Sequence, residues 1–190
     1  MNKIDGLELL NEWNFPTLEL LTIDDLEHNP YLLQEGVSVR LSSRGNNENV
    51  DVFLNSIHNV HDINRVKKFI IDNKDKYDII IHKTVKPDII GTISKYNNYY
   101  HDIIAIELYN NFQDRSHGII SSRAITEMMG NIILEIDNDK FASKALYLEL
   151  MMLLRYIDLD DYTIEFVLEN NKLVFTDLYS NSINNKILIK

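Results

Sequence analysis

Apolar and polar residues alternate along Gly36-Val-Ser-Val-Arg-Leu-Ser-Ser43, a period-two pattern that predicts a strand with one buried face. Apolar, β-branched runs predict further strands at Leu18–Ile23, Tyr77–Val85, Ile89–Lys95 and Ile103–Leu108, with Ile119-Ile120 and Asn131–Ile136 extending the sheet. Helical spacing appears at Ile4, Leu7, Leu9, Leu10 and Trp13, and Asn14-Phe-Pro16 ends that helix because the residue before a proline avoids the helical region. Asp24–Tyr31 reads as a turn and short helix, capped by Thr22 or Asp24. Ile63, Val66, Phe69 and Ile70 share one face of a helix running from His61-Asp62 to Asn73. Asp139–Tyr156 is the strongest helix, rich in Leu, Met, Ala, Glu and Lys. Its apolar residues occupy more than one face, which predicts burial between other elements with the methionines as core filler. Arg44–Asn49 reads as a polar loop, Val50–Val60 is mixed, and the chain closes on a polar tail with Ile187-Leu-Ile189.

Near that end, Asp161–Asp177 reads as a hairpin, with Asn170-Asn171 supplying the turn chemistry. Two acids, Glu165 and Asp177, stand one on each arm among apolar residues, where an unpartnered carboxylate is costly. Register decides whether they meet. A two-residue turn pairs Glu169 with Lys172 and sends the acids to opposite faces; a three-residue turn, Asn170–Lys172, places Glu165 opposite Asp177, Ile164 opposite Leu178 and Leu168 opposite Val174. The second register is expected, and acids on opposite faces would end any proposal of a shared metal.

Composition narrows the function classes. The 190 residues carry 45% hydrophobic and 25% charged residues, which fits an ordinary globular protein with one core or two small lobes. No apolar run approaches the roughly 20 residues needed to span a bilayer, and the start lacks the apolar segment of a signal peptide, so a cytoplasmic location is expected. Zero cysteines exclude disulfides, thiolate nucleophiles and cysteine-based metal centres. A formal net charge of −10 argues against a general nucleic-acid binder. Six glycines form neither a G-x-G-x-x-G nor a Walker motif, so any phosphate is held by other means.

Several stretches, in order, resemble the nucleotide-binding domain of phosphoenolpyruvate synthase and pyruvate phosphate dikinase, a branch of the ATP-grasp fold. Lys3-Ile-Asp-Gly-Leu-Glu-Leu-Leu and Asn14-Phe-Pro-Thr resemble the opening helix, Val39-Arg-Leu-Ser-Ser43 the V-R-S-S strand, and Phe53-Leu-Asn-Ser-Ile-His-Asn-Val60 the stretch after it. Ile81-His-Lys-Thr-Val85 stands where the family has V-Q-x-M-V, and Asp88-Ile-Ile-Gly-Thr-Ile-Ser94 is similar to S-G-V-x-F-T. Thr163-Ile-Glu-Phe and Val174-Phe-Thr-Asp177 resemble the closing I-E-W and L-Q-x-R-P hairpin. The resemblance implies an α+β, ATP-grasp-like domain over 1–190, with two intermixed lobes of mainly antiparallel sheet divided near 82–86 and a nucleotide cleft between them. It further implies ATP and Mg as cofactors. Lys3 and Arg40 would contact phosphates, the backbone around His82, Lys83 and Val85 would receive the base, and Glu165 and Asp177 would hold the metal. Magnesium wants hard oxygen ligands and keeps several waters, so one or two carboxylates plus phosphates suffice.

The departures are specific. His82 replaces a glutamine, Asp177 replaces the family's glutamine, Tyr179 replaces a basic residue, and no glycines precede Lys3. The 190 residues are fewer than the family domain has, and no stretch of them resembles the phosphoenolpyruvate-binding barrel. Ser116-His-Gly-Ile-Ile-Ser-Ser-Arg123 also matches the S-H-A-A-I-x-A-R motif around the phosphorylated histidine of another domain of those enzymes. His117 has no such domain around it, and a chance match is the reading favoured. Three functions follow as expectations: an ATP-dependent phosphotransferase or ligase acting on an unread acceptor, a catalytically degenerate scaffold that binds a protein partner, or a sensor that binds nucleotide without turnover.

Overall fold

A computed structural model of the chain describes residues 1–44, 56–97, 102–127, 133–137, 144–157 and 159–180. The chain divides into two compact units, one formed by Met1–Leu9 and Thr17–Lys86, the other by Leu10–Pro16 and Pro87–Lys190. The helix α1 (Lys3–Glu12) therefore contributes residues to both. The polar loop read at 45–49, the stretch 50–55, residues 139–143 of the long helix and the tail with its apolar end lie outside the described residues.

The first unit holds β1 (Leu20–Leu21), α2 (Ile23–His28), α3 (Tyr31–Glu35), β2 (Val37–Ser43), β3 (Ile57–Val60), α4 (Ile63–Asn73) and β4 (Tyr77–Lys83). Thr22 caps α2 through a full capping box: Asp25 N–H donates to Thr22 Oγ1 at 3.1 Å and Thr22 N–H donates to Asp25 Oδ2 at 2.7 Å. The strands form an antiparallel sheet ordered β1-β4-β2-β3. Alternation on β2 sends Val37 and Val39 to one face, where they join Leu21, Leu26, Leu32, Val60, Val66 and Ile81 in a single apolar core. Ser38, Arg40 and Ser42 therefore stand on the opposite face. Strand β1 is shorter than Leu18–Ile23, and α3 has no counterpart among the expected elements.

The second unit is built on a six-stranded antiparallel sheet of β5 (Ile89–Asn97), β6 (Asp102–Tyr109), β7 (Ser122–Glu127), β8 (Ile133–Asp137), β9 (Tyr162–Glu169) and β10 (Lys172–Ser180), ordered β10-β9-β5-β6-β7-β8. A short helix α5 (Phe112–Ser116) follows β6, and α6 (Lys144–Leu154) precedes β9. Ile119-Ile120 do not extend the sheet: they lie between α5 and β7, with Ile119 exposed. The expectation for the long helix is also corrected. Leu146, Leu150 and Leu154 form one buried stripe at four-residue spacing, but Met152 is 63% exposed and fills no core. The segment Leu10–Pro16 joins this unit through Phe15, whose ring centroid lies 5.2 Å from that of Phe175, and through Phe175 N–H donating to Pro16 O at 2.7 Å.

One face of this sheet carries an apolar row across five strands, Leu178, Ile164, Ile93, Ile106 and Ala124, all buried. The residues next to these point the other way and form a polar row, also in register: Asp177, Glu165, Thr92, Glu107 and Arg123. The hairpin that starts this row does not turn as expected. Glu169 pairs with Lys172, so the turn is the two-residue one, with Asn170 and Asn171 both left-handed at φ 52° and 60°. That is the geometry of a type I′ hairpin turn, which Asn tolerates. The pairing continues through Leu168–Leu173, Val167–Val174 and Phe166–Phe175, then slips by one residue at Thr176, after which Glu165 faces Asp177 and Ile164 faces Leu178. A β-bulge supplies the shift that had been assigned to the turn. The Leu168–Val174 pairing is overturned, while the pairings of Glu165 with Asp177 and Ile164 with Leu178 are observed.

Candidate functional site

The acid pair sits on the polar face of the second unit. Glu165 is 8% exposed and Asp177 3%. Glu165 is flanked by Asp177 on one neighbouring strand and Thr92 on the other, while Asp177 lies on the edge strand β10. Arg115 on α5 closes over Glu165, its Nη2 ion-pairing with Glu165 Oε1, and both side chains are largely withdrawn from solvent. Tyr179 Oη donates to the same carboxylate oxygen at 3.3 Å. Burial, then the charge of Glu165, pushes the Tyr179 phenol well above its ordinary range; the Arg115 charge offsets part of this and Asp177 adds to it. Tyr179 is therefore a neutral donor to the acid at physiological pH.

Farther along the row the charges are fully engaged. Arg123 Nε and Nη2 donate to Glu107 Oε1 at 3.0 and 2.7 Å, and Tyr109 Oη donates to Glu107 Oε2 at 2.8 Å. With both oxygens bonded, Glu107 reads as a structural acid. The donor set at Glu165 and Asp177 suits a hard divalent cation that completes its shell with water and phosphate. Among the described residues, no group of three or more His, Asp or Glu is placed to hold a metal ion.

In the first unit, Lys3 opens α1 and its N–H donates to Ser42 Oγ at 3.2 Å, which ties the helix start to β2. Arg40 lies on β2 opposite Ile80, on the face that Ser42 shares. Ile57 pairs with Val39 and packs against the core, so His58, the next residue, turns to the side of Arg40. Partial desolvation, then the charges of Arg40 and Lys3, hold the His58 imidazole below its ordinary pKa. Lys3 and Arg40, named from the sequence, thus lie within electrostatic reach of one another's neighbour His58, which the sequence reading did not single out.

His82 is buried, paired with Leu20 on one side and Ser38 on the other, and its Nδ1 lies 2.7 Å from Lys83 O. Lys83 Nζ contacts Glu19 at 3.3 Å and Glu35 at 3.9 Å. Val85 lies past the last paired residue of β4, after Thr84, whose N–H donates to Gly36 O at 2.9 Å. His117 is exposed at the C-terminal end of α5. The residue most conspicuously missed is Arg115, a single arginine in a short polar stretch without periodicity. Its one sequence signal is the pair Asn111 and Asp114, a helix-start pattern, since Asp114 N–H donates to Asn111 Oδ1 at 2.8 Å.

No protein-family model and no curated protein matches the chain. Solved structures do. A dinucleotide-forming acetyl-coenzyme A synthetase of Ca. Korarchaeum cryptofilum, in complex with coenzyme A and Ca-AMPCP, superposes with a TM-score of 0.61 at 11% identity, over 94% of this chain and 91% of that one. A Pyrococcus horikoshii Ot3 protein gives 0.65 at 14% identity, over 94% and 89%. N5-carboxyaminoimidazole synthase of Aspergillus clavatus, in complex with ADP and 5-aminoimidazole ribonucleotide, gives 0.55 at 13% identity, over 96% of this chain and 45% of that one. The fold is ATP-grasp-like. At these identities the likeness is one of architecture: an α+β chain whose strands form two antiparallel sheets, β1-β4-β2-β3 and β10-β9-β5-β6-β7-β8. Among the described residues of this ATP-grasp-like chain, no helix is long and apolar enough to cross a membrane.

Proposed function

We propose that the chain binds ATP as its magnesium complex and uses it as a ligase or phosphotransferase toward a separate acceptor. Glu165 and Asp177 are the metal ligands, Lys3 and Arg40 contact the phosphates, and the backbone at His82, Lys83 and Val85 receives the base. The observation that carries the reading is the register match of two buried carboxylates, Glu165 opposite Asp177, made by a bulge at Thr176. Bulges re-aim side chains, and they are over-represented next to active sites. The likeness to structures solved with Ca-AMPCP or ADP supports the choice of nucleotide. When bound, the metal would neutralise phosphate charge. Arg40 offers a planar fork and Lys3 a point charge to phosphate oxygens. Phosphoryl transfer relies mainly on positioning and charge neutralisation, which such a set supplies.

Thermal denaturation with and without Mg·ATP tests this. At about 100 times Kd, ligand binding stabilises by about 2.7 kcal/mol, which raises Tm by about 5–10 °C for a chain of this length. Glu165→Gln should abolish most of that shift. A second reading, a scaffold that binds a protein partner and no nucleotide, is favoured by the Arg115–Glu165 ion pair, which already gives one acid a cation. No shift with any nucleotide in either protein would overturn the nucleotide reading and favour the second.

A further inference from the structure

We infer that Arg115 is a binding residue of the metal–nucleotide site, one that ion-pairs with Glu165 and exchanges that carboxylate for phosphate when the metal complex arrives. The inference rests on the reading of Glu165 and Asp177 as metal ligands and adds the residue that governs when they take a metal.

Arg115 is held in place by local structure. Helix α5 is capped by Asn111, whose Nδ2 also donates to Asp114 Oδ2 at 3.0 Å. The return to the sheet is fixed by Ile119 N–H donating to Asp114 O at 2.8 Å and by Ser121, whose N–H and hydroxyl both donate to Leu108 O at 2.8 Å. The arginine is thereby delivered over β9 at Glu165. The side chains of Arg115 and Glu165 are 17% and 11% exposed. In so sheltered a place a carboxylate without a counter-charge is strongly unfavourable, so the ion pair is the stable arrangement in the absence of another cation.

A divalent cation changes this balance. Held between Glu165 and Asp177, it would compete for the same carboxylate and repel the guanidinium beside it. The metal alone is therefore a poor competitor. A metal carrying a polyphosphate is a good one, because the phosphate oxygens offer Arg115 the planar, charged partner that a guanidinium binds best. Helix α5 buries none of its five residues, and Phe112 at its start and Ile119 three residues past its end are exposed, so the exchange breaks no apolar core. Arg115 thus makes metal and nucleotide binding mutually dependent. Free Mg2+ is excluded from the acid pair, and Mg2+ that arrives with a polyphosphate is admitted.

Manganese(II) binding to the full chain, followed by electron paramagnetic resonance with and without a non-hydrolysable ATP analogue, tests the exchange. Wild type should bind Mn2+ weakly alone and at least about tenfold more tightly with the analogue. Arg115→Ala should bind Mn2+ alone at least about tenfold more tightly than wild type and lose most of the gain from the analogue. Should Arg115→Ala fail to fold without metal, Arg115→Lys, which keeps the charge and loses the fork, should shift Mn2+ affinity in the same direction by about threefold. Arg123→Lys, on the Glu107 pair, should leave Mn2+ binding as in wild type. Equal Mn2+ affinity of wild type and the Arg115 variants without nucleotide, while the analogue still binds, overturns the exchange and spares the nucleotide reading. Absence of both Mn2+ and analogue binding in every variant overturns the two together.

Discussion

Replacing Gly91 by alanine probes how closely the two faces of the large sheet are coupled. Gly91 lies on β5 directly opposite Phe166 on β9, and the phenyl ring occupies the space a side chain would need. A Cβ built on Gly91 would lie 2.0, 2.4 and 2.6 Å from the ring atoms Cζ, Cε1 and Cε2. Carbon atoms prefer about 3.5–4.0 Å, so the ring must retreat by about 1.5–2 Å. Nothing around it gives easily: Phe166 is fully buried, packs edge-on to Phe175 at 6.3 Å, and Phe175 is in turn backed by Phe15 at 5.2 Å. Overpacking costs about 1–3 kcal/mol, and this stacked arrangement puts Gly91→Ala at the upper end. About 3 kcal/mol lowers Tm by about 6–12 °C at this chain length. Urea and thermal unfolding followed by circular dichroism measure it. Phe166→Leu, which removes the three clashing atoms, should recover a large part of the loss in the Gly91→Ala background although it is destabilising by itself. Because Glu165 adjoins Phe166 and Thr92 adjoins Gly91, the Mg·ATP shift of Gly91→Ala should also shrink. A Tm within about 1 °C of wild type, or no recovery from Phe166→Leu, would refute the reasoning.

Three further outcomes are expected. Asn171→Val, which forces a β-branched residue into φ 60°, should cost about 1–2 kcal/mol in urea unfolding, whereas Asn171→Gly should be neutral or stabilising. The folded-state pKa of His58 lies below its reference of 6.5, so the unfolded chain takes up its proton first as pH falls. Its contribution to stability is complete above that reference and declines below it; His58→Gln should remove this part of the acid-side loss, and the ring's NMR titration should move upward when polyphosphate is added. The Tyr109 phenol is raised from 10.0 to about 12 by burial, then by the hydrogen bond and charge of Glu107. Its contribution to stability is fully present below about pH 10 and lost as pH rises through about 12, and absorbance at 295 nm should show it ionising after the exposed tyrosines.

Most of the strands and the α4 helix were legible because their apolar spacing is regular. Val37 and Val39 alternate with Ser38 and Arg40, and Val66 sits on the one apolar stripe of its helix. What was not legible depends on tertiary structure. The acid pair was expected from a three-residue turn, but Asn170 and Asn171 both adopt the left-handed conformation and the slip falls at Thr176, in a run whose residue types mark no irregularity. Arg115 reaches Glu165 only because β6 and β9 lie on either side of β5, an adjacency that no local pattern encodes. The exposure of Met152 was hidden for a similar reason: a helix apolar on several faces does not reveal which face the fold covers.

The slip at Thr176 also lets a single strand serve two layers with opposite needs. Had β10 run without it from a three-residue turn, Phe175 would stand opposite Val167, on the face of the acids, and the aromatic stack with Phe166 and Phe15 would lose its middle member. Had it run without it from the observed turn, Phe175 would keep its place and Asp177 would turn into the apolar layer beside Ile164. The extra residue reverses the strand's phase between Phe175 and Asp177, and so both demands are met within one arm of the hairpin. Random mutagenesis of this segment should accordingly tolerate exchanges of the Asn-Asn turn for other left-handed pairs far better than any change that moves the phase reversal along β10.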